Sequence, residues 1–231
     1  MLLLAFDTAT PAVTVAVHDG ARVLAHMTTV DARRQGELLA SHIEKVLAQA
    51  GAGLAELTAI IAGVGPGPYT GLRAGLVTAR VLGAALGVGV HGVCTLDVIA
   101  SDAVAAAAGR PFLVATDARR REVYWARYSP AGVRLSGPGV AAPASLPAGL
   151  PTAGEGPAAY PGLLGEPIAP RFPSAATLAG LAAGRLAAGD GLLPPEPLYL
   201  RRPDARVPGP PKSVLTAPDR VSRAASGVTR T

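Results

Sequence analysis

GVGPGPYTGLR, residues 63–73, lies between a short apolar segment and a long stretch of helical periodicity. The apolar residues 58–64 predict a buried strand, and residues 70–86 predict a helix. A helix that follows a strand through a glycine-rich loop is a common setting for a phosphate site, because its first N–H groups are unpaired. The stretch therefore predicts an α/β fold, and its loop has to be tested as a phosphate site.

The composition of this loop favours a structural role. Its glycines do not fit the dinucleotide pattern G-x-G-x-x-G, and no Gly-Lys-Ser/Thr follows them. Its two prolines lack backbone N–H groups and so remove two donors from any phosphate cradle. We predict that the prolines stiffen the loop, that its glycines supply unusual backbone angles and that Thr70 caps the helix. The motif residues are Gly65, Pro66, Gly67, Thr70 and Arg73.

Small residues recur at every fourth position of the predicted helix. They are Gly71, Gly75, Ala79, Gly83 and Gly87. An interior glycine costs a helix about 1 kcal/mol relative to alanine, so the close approach of another backbone should compensate. That backbone belongs either to the protein's own sheet or first helix, or to another subunit. Both can hold at opposite ends of the helix, because each step of four rotates the ridge by roughly 40°.

Further elements are predicted on both sides of the loop. Towards the N-terminus, residues 2–7, 12–18 and 22–29 predict an antiparallel meander, and residues 35–50 predict a helix. Towards the C-terminus, the predicted strands are 88–93, 111–116, 122–128 and 198–200, and the predicted helices are 96–108 and 177–188. The Gly- and Pro-rich residues 130–173 predict no definite element. We therefore predict two α/β lobes, residues 1–108 and a smaller 109–200, followed by a tail, 201–231.

Charge and cysteine content limit the classes of function. The single cysteine, Cys94, excludes an internal disulfide and favours a reducing, cytoplasmic compartment. The net charge of +5 lies in residues 201–231, with seven basic and two acidic residues, whereas the rest of the chain carries 14 of each. A neutral body does not favour a nucleic-acid surface. We expect the tail to be a disordered, solubilising extension, with non-specific RNA contact as the alternative, and we expect no membrane segment.

Asp7-Thr8-Ala9-Thr10 follows the first predicted strand. An aspartate at a strand end followed by hydroxyl residues resembles the first phosphate loop of actin-like nucleotide-binding proteins. Those loops carry a glycine directly after the aspartate, and Thr8 replaces it here. Asp7, Thr8 and Thr10 are therefore weak nucleotide-loop candidates. No histidine pair has a metal-binding spacing, and no catalytic residue is predicted.

The charged segment DARRREVY, residues 117–124, occupies a predicted turn between two strands. It is either a solvated turn in which Asp117 or Glu122 pairs with an arginine, or an arginine cluster that binds an anion. In the second case Arg119 and Arg120 would contact a phosphate or the carboxylate of a partner. The sequence leaves both interpretations open.

Four of these elements together resemble the bacterial TsaB family, also called YeaZ. They are Asp7-Thr8-Ala9-Thr10, the glycine-proline loop with Thr70 and Arg73, Asp117-Ala118-Arg119-Arg120 with Glu122-Val123-Tyr124, and Pro197-Leu198-Tyr199-Leu200-Arg201. The resemblance implies an actin-like (ASKHA, ribonuclease-H-like) α/β fold of two lobes, with the second lobe smaller and diverged.

The resemblance also implies a role in making N6-threonylcarbamoyladenosine in tRNAs that read codons starting with A. In that family TsaB is the non-catalytic partner of the transferase TsaD, the ATPase TsaE joins them, and tRNA is contacted only through the complex. TsaB forms a homodimer in isolation and docks through its first two helices. Partner-binding residues would be Leu39, Ile43, Val46, Gly71, Gly75, Ala79 and Gly83. No cofactor of its own is implied, with ATP or ADP placed at the junction with the partner subunit.

Two other functions compete with this scaffold role. A stand-alone, ATP-dependent enzyme of the actin-like fold would use the Asp7 loop. An RNA-binding module would use the basic tail. Nucleotide turnover by the isolated chain distinguishes the first alternative, and deletion of the tail distinguishes the second.

Overall fold

A five-stranded sheet of order β3-β2-β1-β4-β5 organises the N-terminal half of the chain. The computed structural model describes residues 1–201. The strands of this sheet are β1 (Leu3–Asp7), β2 (Ala12–His18), β3 (Val23–Val30), β4 (Ala59–Gly63) and β5 (Gly89–Val93). β1, β2 and β3 form the predicted antiparallel meander, and β4 and β5 run parallel to β1. This mixed strand order confirms the actin-like fold class.

Helices cover both faces of this sheet. α1 (Gln35–Ala50) and α2 (Tyr69–Leu86) lie on one face, and α5 (Ala175–Ala188) lies on the other. As a result all seven residues of β2 are buried, although their alternation of apolar and polar side chains suggested a clear division between its two faces. The polar Thr14 on the second face is satisfied there, because its hydroxyl accepts a hydrogen bond from the Ala175 N–H at 2.9 Å.

A smaller, four-stranded sheet of order β8-β7-β6-β9 forms the second half. Its strands are β6 (Phe112–Asp117), β7 (Val123–Tyr128), β8 (Arg134–Ala141) and β9 (Thr152–Ala153). α3 (Thr95–Ala103) packs on one face over Phe112 and Tyr128, whose rings stack at 5.6 Å, and the short α4 (Gly156–Ala159) contacts β6 and β9. The two sheets therefore present the carboxyl ends of β1 and β6 to a common region of the molecule.

The C-terminal end of the described chain runs back over both sheets. Leu193 exchanges backbone hydrogen bonds with Gly92 of β5, at 2.7 and 3.0 Å, and the Leu198 N–H donates to the Val64 carbonyl at 2.9 Å. Arg201 then donates to the Ala118 carbonyl in the second half at 3.1 Å. We refer to residues 192–201 as the C-terminal strap.

Several predicted elements differ from the observed ones. Residues 198–200 are not a strand, since only Leu198 makes the hydrogen bond just described. The helix predicted at 96–108 ends at Ala103 and continues as turns. Residues 130–173 contain β8, β9 and α4, which glycines and prolines conceal in the sequence. The predicted tail lies outside the described residues except for Arg201, and the lobe boundary at 108 stays a prediction.

None of the helices within residues 1–201 has both the length and the apolar character that crossing a lipid bilayer requires.

Candidate functional site

The Asp7 carboxyl group is enclosed by the protein. It is 1% exposed at the end of β1, where the Thr95 hydroxyl donates to its Oδ2 and the Ala9 N–H to its Oδ1, both at 2.7 Å. Burial raises the pKa of this carboxyl, and the two hydrogen bonds oppose that rise. The Thr95 hydroxyl also accepts the Gly65 N–H at 3.1 Å, which ties Asp7 to the glycine-proline loop. Asp7 is thus part of a buried hydrogen-bond network.

The other two nucleotide-loop candidates are also engaged within the chain. The Thr8 hydroxyl donates to the Gly71 carbonyl of α2 at 2.7 Å. The Gln35 side-chain amide donates to the backbone carbonyls of Thr8 and Thr10, at 3.2 and 2.6 Å. These bonds hold the loop against the first turns of α1 and α2, so its polar groups serve internal contacts.

The glycine-proline loop lies directly on the Asp7 loop. A methyl group added at Gly67 would collide with the Ala9 carbonyl, and one added at Gly63 would collide with the Asp7 carboxyl. Gly65 has a φ of +84°, which favours glycine, so the predicted unusual backbone angle occurs there. The glycine-proline loop therefore packs against this side of the first loop without room for a side chain.

The predicted helix cap at Thr70 is wrong. α2 begins at Tyr69 with Pro68 in the cap position, and no side chain caps its first N–H groups. Thr70 is exposed inside the first turn. Pro68 has a fixed φ in the backbone that leads into the helix, and the cap lies two residues earlier than the Thr70 hydroxyl suggested.

A cavity of about 200 Å³ lies between this region and the second sheet. Thr10, Thr70 and Gly71 line one side of it, and Asp117, Arg119 and Glu155 line the other. Burial raises the pKa of Glu155, and the nearby Asp117 charge adds to that rise. Within residues 1–201, no group of three or more His, Cys, Asp or Glu side chains is arranged to hold a metal ion.

The small-residue ridge of α2 faces the protein's own interior. A Cβ at Gly71 would lie 2.5 Å from the Thr8 carbonyl oxygen, one at Gly75 would lie 2.5 Å from the Thr8 hydroxyl, and one at Gly83 would collide with Val90 of β5. Ala79 is fully buried, and Gly87 ends the helix with a φ of +67°. The sequence allowed the ridge to pack either on this chain or on another subunit. In the structure it packs on this chain, against the first loop and β5.

This burial corrects the residues that were assigned to partner binding. Seven residues, Leu39, Ile43, Val46, Gly71, Gly75, Ala79 and Gly83, all lie in the interior of the protomer. Helical periodicity and small size identified positions that pack on the sheet, because the same pattern marks any buried helix face. The docking of the two helices stays a prediction, but these seven side chains do not form its surface.

The exposed side of α2 carries large side chains that the sequence analysis missed. Tyr69, Val77 and Val81 are 56%, 58% and 61% exposed, and the Arg73 guanidinium lies 4.2 Å from the centre of the Tyr69 ring. We call these four residues the α2 outer stripe. The Tyr199 ring of the C-terminal strap stacks on Tyr69 at 5.7 Å and extends the stripe. The spacing of Tyr69, Val77 and Val81, which are four or eight residues apart on the helix side opposite the small residues, was the sequence signal for this stripe.

The arginine segment forms a left-handed turn. Arg119, Arg120 and Arg121 have φ angles of 62°, 54° and 62°. Asp117 accepts the Arg119 N–H at 2.8 Å and pairs with its guanidinium at 3.2 Å. This is the pairing expected of a solvated turn, but left-handed backbone costs roughly 1–2 kcal/mol for each such residue. The hydrogen bond and the ion pair between Asp117 and Arg119 offset part of this conformational free energy.

The fold and this region together define an actin-like protein whose first loop, residues 7–10, packs on its own second helix and glycine-proline loop. A family model described as "TsaD: tRNA N6-adenosine threonylcarbamoyltransferase" matches residues 22–160. This match spans more than half of the chain, so the chain belongs to that family, and its named relatives confirm the predicted resemblance to TsaB (YeaZ).

Similar proteins come from several bacteria. An uncharacterised protein of Mycobacterium tuberculosis is 46% identical over 88% of this chain and 93% of its own length. The Escherichia coli tRNA threonylcarbamoyladenosine biosynthesis protein TsaB is 35% identical, over 55% of each chain. A crystal structure from Pseudomonas aeruginosa, of an uncharacterised protein with similarity to peptidase YeaZ, is 29% identical with a TM-score of 0.75, covering 87% of this chain and 99% of its own.

Proposed function

We propose that this chain is the non-catalytic, TsaB-like partner of a TsaD-like transferase in the cytoplasmic formation of N6-threonylcarbamoyladenosine in tRNA. A TsaE-like ATPase would act with the pair. The observation that carries the proposal is the closed first loop, in which the Thr8 hydroxyl bonds to Gly71 and the Gly67 backbone rests on Ala9. Membership of the family supports the pathway.

The closed loop supports a non-catalytic role because catalysis on a nucleotide needs open donors near its phosphates. The Thr8 hydroxyl and the Gln35 amide are both committed to backbone carbonyls of the same chain. The Asp7 carboxyl group is shielded from solvent and is held by Thr95. Opening this region would break at least these hydrogen bonds and separate two closely packed backbones. We therefore place any ATP or ADP at the junction with the partner subunit, with no cofactor held by this chain alone.

The α2 outer stripe supports docking to a partner. Three large apolar side chains stand in solvent along one line of the helix, which is more than the scattered exposure typical of a monomer. Arg73 and Arg80 border a shallow groove of about 220 Å³ together with Val77 and Tyr199. The stripe fits a partner helix that offers apolar side chains and carboxylates. We propose that a TsaD-like subunit covers it in the complex and that a second copy of this chain covers it in isolation.

Replacement of both valines tests this docking surface. Val77→Asp with Val81→Asp should weaken binding to the TsaD-like subunit by at least about tenfold, or about 1.4 kcal/mol, because two charges would be buried without partners. Both positions are exposed in the protomer, so the variant should keep the circular dichroism spectrum of the wild type, while loss of the second copy should lower its thermal midpoint. Co-purification and isothermal titration measure the binding.

Val133→Asp is the matched control, since Val133 is 63% exposed on the second half, outside the stripe. Binding equal to wild type in the double variant would exclude the α2 outer stripe as the docking surface. Equal loss in the Val133 variant would show that the effect is not specific to the stripe.

The alternative is a stand-alone, ATP-dependent enzyme of the same fold. The observation in its favour is the cavity of about 200 Å³ between the uncapped start of α2 and the second sheet. Asp117 and Glu155 line that cavity with Arg119, and because Arg119 is paired with Asp117, the remaining carboxyl group of Glu155 disfavours a polyphosphate there. The scaffold role is therefore the one that the geometry supports best.

A further inference from the structure

The left-handed turn at Arg119–Arg121 is not accounted for by docking or by the closed loop. Three consecutive non-glycine residues have positive φ, a conformation that glycine or asparagine would adopt at less cost. All three are exposed, so burial of their side chains does not explain the choice of residue. A strained conformation that is kept at a surface turn points to a function for the side chains that it presents.

The turn is held in place from both sides. The Ala118 N–H donates to the Glu122 carbonyl and the Glu122 N–H donates to the Arg119 carbonyl, both at 3.0 Å. The Tyr160 hydroxyl donates to Asp117 at 3.0 Å, and it also lies within hydrogen-bond distance of the Glu122 carbonyl. These contacts fix the backbone that carries the arginines. Little backbone conformational entropy is therefore lost when a ligand binds.

The C-terminal strap also holds this turn. Arg201 donates to the Ala118 carbonyl and forms an ion pair with Glu122. The charge of Glu122 is therefore paired with an arginine outside the turn, and the charge of Asp117 is paired with Arg119. Five arginines and three carboxylates lie in and around the turn, namely Arg119, Arg120, Arg121, Arg171, Arg201, Asp117, Glu122 and Glu155. The region around the turn therefore carries two more positive than negative side chains.

We propose that the Arg119–Arg121 turn binds phosphodiester oxygens of the tRNA backbone. The proposal rests on the proposed function and goes beyond the expectation that tRNA is contacted only through the partner. Guanidinium groups bind phosphate oxygens through paired, charge-assisted hydrogen bonds. Arg119 lines the cavity of about 200 Å³, but Arg120 and Arg121 are not among its lining residues. An extended polyanion therefore suits the three consecutive exposed arginines better than a free nucleotide, which needs an enclosing pocket for its base.

A glycine double variant separates charge from folding. Arg120→Gly with Arg121→Gly removes two guanidinium groups and relieves the left-handed backbone, and its circular dichroism spectrum should match that of the wild type. The complex of each variant with the TsaD-like subunit would be titrated with an unmodified tRNA transcript at several salt concentrations. We expect roughly tenfold weaker binding at 0.1 M salt and a salt dependence smaller by about 1.5 in log–log slope. Arg120→Lys with Arg121→Lys should fall between the two, since it keeps the charge and loses the planar fork.

Arg22→Gly is the matched control, because Arg22 is an exposed arginine in the turn between β2 and β3. Unchanged tRNA affinity and salt slope in the double variant, with partner binding intact, would overturn the proposal. Loss of partner binding by the double variant would also overturn it and would assign the turn to a protein contact. ATP binding that disappears in the variant while tRNA affinity stays constant would assign it to a nucleotide. Failure of the wild-type chain to bind the TsaD-like subunit would instead contradict the proposed function, before any RNA is added.

Discussion

At the scale of single residues, Asp7 keeps the acidic group that actin-like proteins carry after their first strand, but its surroundings differ from an open site. The carboxyl group contacts Thr95 and the Ala9 N–H and has almost no access to water. A buried carboxyl group with few polar partners is easier to protonate than one in water. Asp7 therefore affects the stability of the fold more directly than it can affect chemistry.

The raised pKa of Asp7 predicts a particular dependence of stability on pH. The folded state holds the proton more tightly than the unfolded state, so the contribution of Asp7 is most favourable below the ordinary pKa of 3.8 and is lost as pH rises through the folded value. Asp7→Asn removes this loss. The difference in the free energy of unfolding, variant minus wild type, should increase above about pH 4 and then level off. Urea unfolding between pH 3 and 8 measures it.

Gly180→Ala in α5 is the control for this measurement, because it changes no ionisable group and nothing lies within 4 Å of the added methyl group. Its difference from wild type should not change with pH. Parallel pH curves for wild type and Asp7→Asn would show that the carboxyl group is not destabilised by its burial.

At the scale of elements, α2 has two faces with different tasks. The ridge from Gly71 to Gly83 packs on the first loop and on β5, and the outer stripe from Tyr69 to Val81 meets solvent. The closeness of the ridge is what lets Thr8 reach the Gly71 carbonyl. The helix thus packs on the first loop with one face and exposes large side chains to solvent with the other.

Two glycine-to-alanine replacements distinguish a packed helix position from an open one. Gly71→Ala should destabilise the protein by about 1–3 kcal/mol, because its methyl group would press on the Thr8 backbone and Gln35 and outweigh the gain in helix propensity. Gly180→Ala in α5 should stabilise it by about 0.5–1 kcal/mol, since nothing lies within 4 Å of the added methyl group. Chemical denaturation measures both. Stabilisation by both replacements would contradict the close packing of α2 on the first loop.

Local sequence patterns predicted the elements well and their roles less well. The bounds of α1 were predicted to the residue, because its apolar face, its helix-forming residues and Gly51 agree. β9 was missed because two residues, Thr152 and Ala153, form it only through pairing with the distant β6. For the small-residue ridge of α2, the sequence allows packing against the protein's own sheet or against a partner. Periodicity shows that a helix face is buried, but it does not show which neighbour buries it. The outer stripe could not be recognised from the helical pattern alone, because single exposed apolar residues such as Val77 and Val81 are common on helix surfaces.

At the scale of the whole molecule, the chain combines an actin-like frame with a shut first loop, an exposed stripe and an arginine turn. The resemblance to one family could be stated from four short motifs, whereas the closure of the loop needed the contacts of Gly67 and Thr8 with their neighbours. Those contacts join residues about 60 positions apart, which no local pattern encodes.

This arrangement predicts that the isolated chain does not turn over ATP. Calorimetry with Mg-ATP should show no binding in the micromolar range, and phosphate release should stay at the level of buffer, because the donors of the first loop are occupied. The same assays on the complex with a TsaD-like subunit serve as the positive reference. Micromolar binding with steady hydrolysis by the chain alone would favour the stand-alone enzyme.

The C-terminal strap has a consequence for how the protein is made. Leu193 pairs with Gly92 at the outer edge of β5, so these backbone groups of Gly92 lack this partner until the ribosome has synthesised nearly the whole described chain. A nascent chain that has folded its first sheet therefore presents a bare strand edge during much of its translation. Chaperone binding at that edge, or late folding of the sheet after release, would keep neighbouring nascent chains on a polysome from pairing there.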